Sequence, residues 1–422
     1  MSSVPGAAVR GCLLLCLLVW PAIASAQAVE RITFDEAIRR ATTNNPTVQQ
    51  AAAGILRAEA LLAQVTSRTR PSLDASVALD VIDPVTSFDG TNITPRAQSA
   101  TSATFRAPIW TPLAWAQRVQ AADQLLVAQS TVADIRRQLA IATADAYLAI
   151  IVQRRRLELN ERARDTARAH FDYANQRFEG GLGSRLNMLR AQQELSSDEA
   201  RVEDAQLAIR RAQEALGVLV VADGPVDASA EPVFDVPQDG SPFDFRTDLR
   251  LIAARQSAAE RVLADSWKDR LPSLTALFTP VYTAPSGLFA PSRSLRGTVL
   301  FSVSLFDSGL RAAQMRERSA LLDSVRAERA GLERQVTSEV RTAREAVRLT
   351  ERAAERARAA ASQSDEVLRI TDIAFREGAT TNIEVIDAQR RARDAATTTA
   401  IAEDALRRAR LELLVATGRF PQ

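Results

Sequence analysis

Few side chains of this sequence could break or make bonds. His170 is the single histidine among 422 residues, and the two cysteines, Cys12 and Cys16, both sit near the start. One histidine on a helix finds no second imidazole and no thiolate, so a metal site would have to be built from carboxylates alone. There is no Gly-Lys-Ser/Thr phosphate loop, no Gly-x-Ser-x-Gly elbow and no dinucleotide fingerprint. The expectation is therefore a protein that is not an enzyme, with no catalytic residue, no cofactor and no metal. The notable polar spacing lies at a helix start. Thr381-x-x-Glu384 has the form of a capping box, and Asp387, three residues on, shares a helix face with Glu384.

These residues belong to a stretch that occurs twice. Phe178-Glu179-Gly180-Gly181-Leu182-Gly183-Ser184 is answered by Phe375-Arg376-Glu377-Gly378-Ala379-Thr380-Thr381 at an offset of 197 residues, and Gln192 is answered by Gln389. In each copy a glycine supplies the left-handed conformation that ends a helix. Ser184 or Thr381 then stands where it can cap the next one. Each copy is the bend of a helical hairpin. The glycines at 180–183 are turn glycines, not a phosphate cradle.

The composition agrees with long helices. The chain is 46% hydrophobic and 25% charged but only 5% aromatic, with abundant alanine and arginine and one lysine, Lys268. A net charge of +2 gives no reason to expect a nucleic acid partner. Arg10, the apolar run from Cys12 to Trp20 and Ala24-Ser25-Ala26 read as a secretory signal peptide over 1–26. Cleavage leaves a mature chain from about Gln27 without cysteine, hence without disulfides. Neither cysteine is placed for lipid attachment.

The mature chain repeats one unit: helix, strand, strand, long helix, bend, helix. The first repeat spans 27–222. Thr33 caps its opening helix, strands follow at about 71–83 and 99–110, and a long hairpin fills 113–220. Leu73, Ala75, Val77, Leu79 and Val81 alternate with Asp74, Ser76, Ala78 and Asp80, as in a strand with one apolar face. Val132, Ile135, Leu139, Ala142, Ala146 and Ala149 set a coiled-coil seam on the outgoing helix, and Val202, Ala205, Ile209, Ala212 and Leu216 one on the return. A proline-rich acidic linker at 223–245 precedes the second repeat, 246–422. That repeat holds a helix from about Thr247 to Lys268, strands at about 272–283 and 295–306, and a hairpin over 309–418.

Strands of about ten residues cross a bilayer when tilted, but four cannot close a barrel, and open edges are not tolerated in lipid. Three chains would supply twelve strands around a water-filled lumen. Twelve helices could then pack into a hollow tube continuous with it, since no single chain offers a core to wrap around. Trp110, Trp115 and Trp267 lie at strand–helix transitions, where an aromatic belt sits. The fold class is thus mainly α with a membrane β-barrel, as a homotrimer with a 12-strand β-barrel and a 12-helix α-barrel.

Five segments in order carry a resemblance over essentially the whole mature chain. They are Ile32-Thr33-Phe34-Asp35-Glu36-Ala37 with Asn45-Pro46, Arg246-Thr247-Asp248-Leu249, Leu271-Pro272-Ser273-Leu274, Leu305-Phe306-Asp307-Ser308-Gly309 and the two bends. On these the sequence resembles the TolC family of outer-membrane efflux channels. The resemblance implies a passive, gated conduit in the outer membrane of a Gram-negative bacterium, extending into the periplasm. Its implied partners are outer-membrane lipid, a periplasmic membrane-fusion adaptor and an inner-membrane pump of RND, ABC or MFS type, in tripartite efflux or type I secretion. It also implies a periplasmic gate at Glu384 and Asp387. Thr380 stands where a tip arginine often locks the closed state, so Arg185 or Arg190 would pair with the acids instead. The adaptor would dock on Gly181, Leu182, Gly183 and Ser184 and on Gly378, Ala379, Thr380 and Thr381. A periplasmic adaptor or a structural coiled coil is the alternative, but an adaptor should carry one hairpin, not two.

Overall fold

The computed structural model describes residues 29–235, 245–289 and 291–420. The expected signal peptide and residues 236–244 of the expected linker lie outside them. In chain order the elements are β1 (Glu30–Ile32), α1 (Phe34–Asn44), α2 (Pro46–Ser67), β2 (Ser72–Val81), a small hairpin of β3 (Ser87–Phe88) and β4 (Thr91–Asn92), and β5 (Ala97–Trp110). Then come α3 (Pro112–Glu179), α4 (Arg185–Val220), β6 (Val226–Ala228), α5 (Thr247–Ala264), β7 (Ser273–Ala284), β8 (Arg293–Ser302), α6 (Leu310–Arg376) and α7 (Asn382–Ala416).

Local chemistry sets the helix starts. The Thr33 hydroxyl accepts from the Glu36 amide at 3.3 Å, and the Asn45 side chain accepts from Thr47 at 3.0 Å. Pro46 and Pro112 occupy first-turn positions, where a missing N–H costs nothing. With 68 residues, α3 runs about 100 Å at ~1.5 Å per residue. It pairs with α4 as one hairpin, and α6 pairs with α7 as the other.

The four long strands form one antiparallel sheet in the order β2-β5-β7-β8. Leu73 faces Phe105, Phe105 faces Phe278, Leu274 faces Phe301 and Ala276 faces Val299, so the apolar alternations of all four strands fall on one face. Asp74, Thr104, Thr279 and Arg296 fall on the other. Strand alternation places successive side chains on opposite faces, and this assignment holds as far as Pro108, where the β5–β7 register shifts by one residue and sets Trp110 against Leu274.

Several sequence expectations need correction. The fourth strand stops at Ser302, not near 306, because its last partner is Ser273 and Pro272 before it has no N–H to extend the ladder. The helix expected to reach Lys268 ends at Ala264 and gives way to a tighter turn, Asp265–Arg270, held by Lys268–Asp265 at 2.7 Å and Arg318–Asp269 at 2.7 Å. The 223–245 segment is not only a linker: Val226–Ala228 pairs in parallel with Glu30–Ile32. The α3 seam is rotated. Ala142 is exposed, while Ala140, Ala144, Tyr147, Leu148 and Ile151 are buried, because α3 packs against α1, α4 and α7 together.

A single chain does build a core, contrary to expectation. Tyr147, Leu148 and Ile150 midway along α3 are buried together with Leu216 and Val220 at the end of α4, Val226 of β6 and Leu411 near the end of α7. Phe34 stacks edge-on against both Tyr147 and Phe234 at 5.4 Å. The Tyr147 hydroxyl donates to the Ala230 carbonyl at 2.9 Å. Phe34, Tyr147, Phe234 and Phe420 meet here from distant parts of the chain. Beside it Arg246 bridges Asp248 (2.6 Å), Glu339 (2.7 Å) and the Ala416 carbonyl (3.2 Å), tying α5, α6 and α7 into one girdle.

Candidate functional site: the paired hairpin tips

The two bends have the same backbone. Gly181 (φ +74°) donates to the Phe178 carbonyl at 3.0 Å and Leu182 to Arg177 at 2.9 Å; Gly378 (φ +77°) donates to Phe375 at 3.0 Å and Ala379 to Ala374 at 2.8 Å. This double bond satisfies the last carbonyls of a helix and needs a left-handed residue. Gly183 is needed for another reason: a Cβ there would lie 2.8 Å from the Phe178 nitrogen. Ser184 caps α4, its hydroxyl accepting from the Leu186 amide at 3.2 Å.

Thr381 does not complete the expected capping box. Its hydroxyl makes no cap bond, because the Glu384 amide donates to the Thr381 carbonyl instead, at 3.1 Å. Glu384 and Asp387 both lie exposed on one face of α7, while Asn382, Val385, Ile386 and Ala388 are buried behind them. Arg391, one turn on, pairs with Asp387 at 3.3 Å. Arg185 and Arg190 are exposed on α4, and within the described residues no ion pair joins either to Glu384 or Asp387. Leu182 projects from the first tip with 77% of its surface exposed.

Two contacts join the hairpins just behind the tips, and the sequence reading found neither. Asn382 donates from its amide nitrogen to the Asn187 carbonyl at 3.3 Å, which turns its Oδ1 toward His170 Nε2 at 2.6 Å. The proton of that short bond therefore sits on Nε2. His170 and Tyr173 both pack on Phe375, with ring centroids 5.5 and 5.7 Å apart. Burial pushes the His170 imidazole below its ordinary pKa, against the opposing hydrogen bond to Asn382 and the charge of Asp372.

Farther from the tip, buried Glu194 meets Arg390 at 2.5 Å and Arg393 at 3.3 Å, and Arg393 also meets buried Asp198 at 2.8 Å. Burial alone would raise the Glu194 carboxyl; the hydrogen bonds and charges of Arg390 and Arg393 outweigh it and hold the group below its ordinary range. A signal for this cluster existed. Stepping back from Ala205 and Val202 by the seam spacing lands on Asp198, a charge where a coiled coil wants an apolar residue.

No group of His, Cys, Asp and Glu among the described residues is arranged to hold a metal ion. Nor is any described helix long and apolar enough to cross a membrane.

The model of one protein family, "Outer membrane efflux protein", matches residues 37–220 and 245–419, one segment per repeat. The chain belongs to the outer membrane efflux protein family. Among solved structures, the outer membrane efflux fold of this chain is similar to VceC of Vibrio cholerae, with TM-score 0.78 and 18% identity over 91% of this chain and 96% of that one. It is similar to the CmeC outer membrane channel of Campylobacter jejuni, with TM-score 0.81 and 14% identity over 98% and 94%. The open-state MtrE channel of Neisseria gonorrhoeae gives TM-score 0.77 and 16% identity over 92% and 90%. No curated protein matches the chain. The family and these neighbours are outer membrane channels, not enzymes.

Proposed function

We propose that this efflux protein is the outer-membrane channel of a tripartite efflux or type I secretion system, a gated passive conduit across periplasm and outer membrane of a Gram-negative bacterium. Three copies of the four-stranded sheet close a twelve-strand barrel, and their hairpins form a twelve-helix tube below it. The observation that carries this reading is the sheet's apolar face. Leu79 (80% exposed), Val81 (73%) and Leu295 (68%) lie on it, with Leu73, Val77, Val299 and Phe301 also exposed there. In water such a face is a liability. Against lipid it is what a barrel presents, with the polar alternate residues lining the lumen. A periplasmic adaptor or a structural coiled coil has no use for it.

At the other end, six carboxylates from three copies of Glu384 and Asp387 narrow the entrance and favour cations. Arg391 on each copy partly neutralises Asp387; Arg185 and Arg190 would reach the acids only from a neighbouring copy. The tips at 181–184 and 378–381 dock a periplasmic adaptor, which couples the conduit to an inner-membrane pump that supplies the energy. The test is fractionation of cells followed by gel mobility with and without heating. Outer-membrane recovery as a heat-dissociable trimer supports the reading; recovery in the soluble periplasmic fraction overturns it.

A further inference from the structure

The sheet has two outer edges, β2 and β8, and neither has a strand partner among the described residues. Their charges are of opposite sign. The charged residues of β2 are Asp74 and Asp80, and those of β8 are Arg293 and Arg296. None of the four enters an ion pair among the described residues, and all are exposed. Asp74, Asp80 and Arg296 share the polar face of the sheet.

We infer that β8 of one copy pairs antiparallel with β2 of the next, and that Arg296 meets Asp80 across this seam on the lumen side. This rests on the trimeric barrel proposed above and names its contact. The direction follows from the topology. β2 runs away from α2 and β8 runs toward α6, so neighbouring copies bring opposite directions together, as in each of the three pairings within this sheet.

The register follows from the faces. Each edge strand is ten residues long. Full overlap sets Ser72 against Ser302 and Val81 against Arg293, which puts Leu73 beside Phe301 and Leu79 beside Leu295 on the apolar face. A slip of one residue would reverse one strand's faces and bury polar groups in lipid. Full overlap leaves Ala78 opposite Arg296 and Asp80 on its diagonal, about 7–8 Å away between Cα atoms and within reach of an arginine. A two-residue slip, which also keeps the faces, brings Asp80 directly opposite. In both of these registers Arg296 meets Asp80 and Asp74 lies beyond the diagonal, whereas a two-residue slip the other way would set Ser76 opposite Arg296 and Asp74 on its diagonal. Opposite charges at a seam between identical copies also suppress the like-edge pairings, β2 with β2 and β8 with β8.

Cysteine pairs test this in the full-length protein, whose only cysteines are at positions 12 and 16. The Asp80→Cys/Arg296→Cys protein, treated in detergent with a short bifunctional thiol crosslinker, should give a covalent trimer on a denaturing gel. Either single variant and the Asp74→Cys/Arg296→Cys pair should not. Charge reversal gives a second readout. Asp80→Arg and Arg296→Asp should each lower the trimer dissociation temperature by several degrees, and the double variant should regain most of that loss. A native trimer that links through position 74, or not at all, overturns the seam but leaves the trimer standing. A protein that runs as a monomer on a native detergent gel overturns the trimer itself.

Discussion

His170 Nε2 donates to Asn382 Oδ1 across 2.6 Å, and these two residues lie on different hairpins. The glycine turns at 181 and 378 are thus not the only features that fix the tips. A buried polar contact between the hairpins does so as well, and the positions of Glu384 and Asp387 depend on it, since Asn382 is the first residue of their helix.

Removing that contact should loosen the second tip. His170→Ala leaves the Asn382 carbonyl oxygen buried without its donor, a cost of about 1–3 kcal/mol. Hydrogen exchange at 378–388 should accelerate while the trimer stays intact. Unchanged exchange would show that the packing of Phe375 alone holds the tip.

The same contact gives a pH dependence. Burial lowers the His170 pKa, so the folded tip resists protonation relative to the unfolded chain. Its full stability is present above the ordinary histidine value of about 6.5 and declines as pH falls from there toward the lower folded value. Limited proteolysis at the tip should quicken between about pH 7.5 and 5.5 in the native protein. His170→Gln, which keeps a donor, should flatten that response.

Arg393 neutralises two buried carboxylates at once. Arg393→Ala leaves Glu194 with Arg390 and Asp198 with Arg201, so each buried carboxylate loses one of its two guanidinium partners, a local cost of about 1–3 kcal/mol. The hairpins should separate more readily, and single-channel conductance in planar bilayers should rise. Replacing Glu194 and Asp198 by Gln and Asn in the Arg393→Ala background should recover much of the loss. In the native protein Glu194, held below its ordinary value, contributes stability above about pH 4.5 that is lost as pH falls through its folded value.

Glu384→Ala with Asp387→Ala should reduce cation selectivity in the same bilayer recordings without lowering trimer stability, because both side chains are exposed. Conductance and selectivity matching the native channel would remove them from the gate. At the tips Gly183→Val should reduce efflux while leaving trimers in the membrane, since its Cβ would collide with the backbone of Phe178.

Much of the fold was legible in the chain because its periods are long. An alternation over ten residues, a helix of 68 residues and a bend repeated at offset 197 each leave a signal that no local accident erases. What escaped was short or three-dimensional. Three-residue strands such as Val226–Ala228 show no alternation, and the rotation of the α3 seam follows from three neighbours that no helical period reveals. The tip site was half legible. Glycine at 181 and 378 announces a left-handed turn, but Thr381 gave a capping pattern that its own carbonyl preempts. His170 looked like an isolated helical histidine because its partner lies 212 residues away.

The most direct test of the account is the mass of the purified protein, because neither edge of the sheet nor its apolar face is completed within one chain. Light scattering in detergent should give three chains per particle, with precipitation when detergent is removed. A monomer that stays dissolved without detergent would contradict the account at its root.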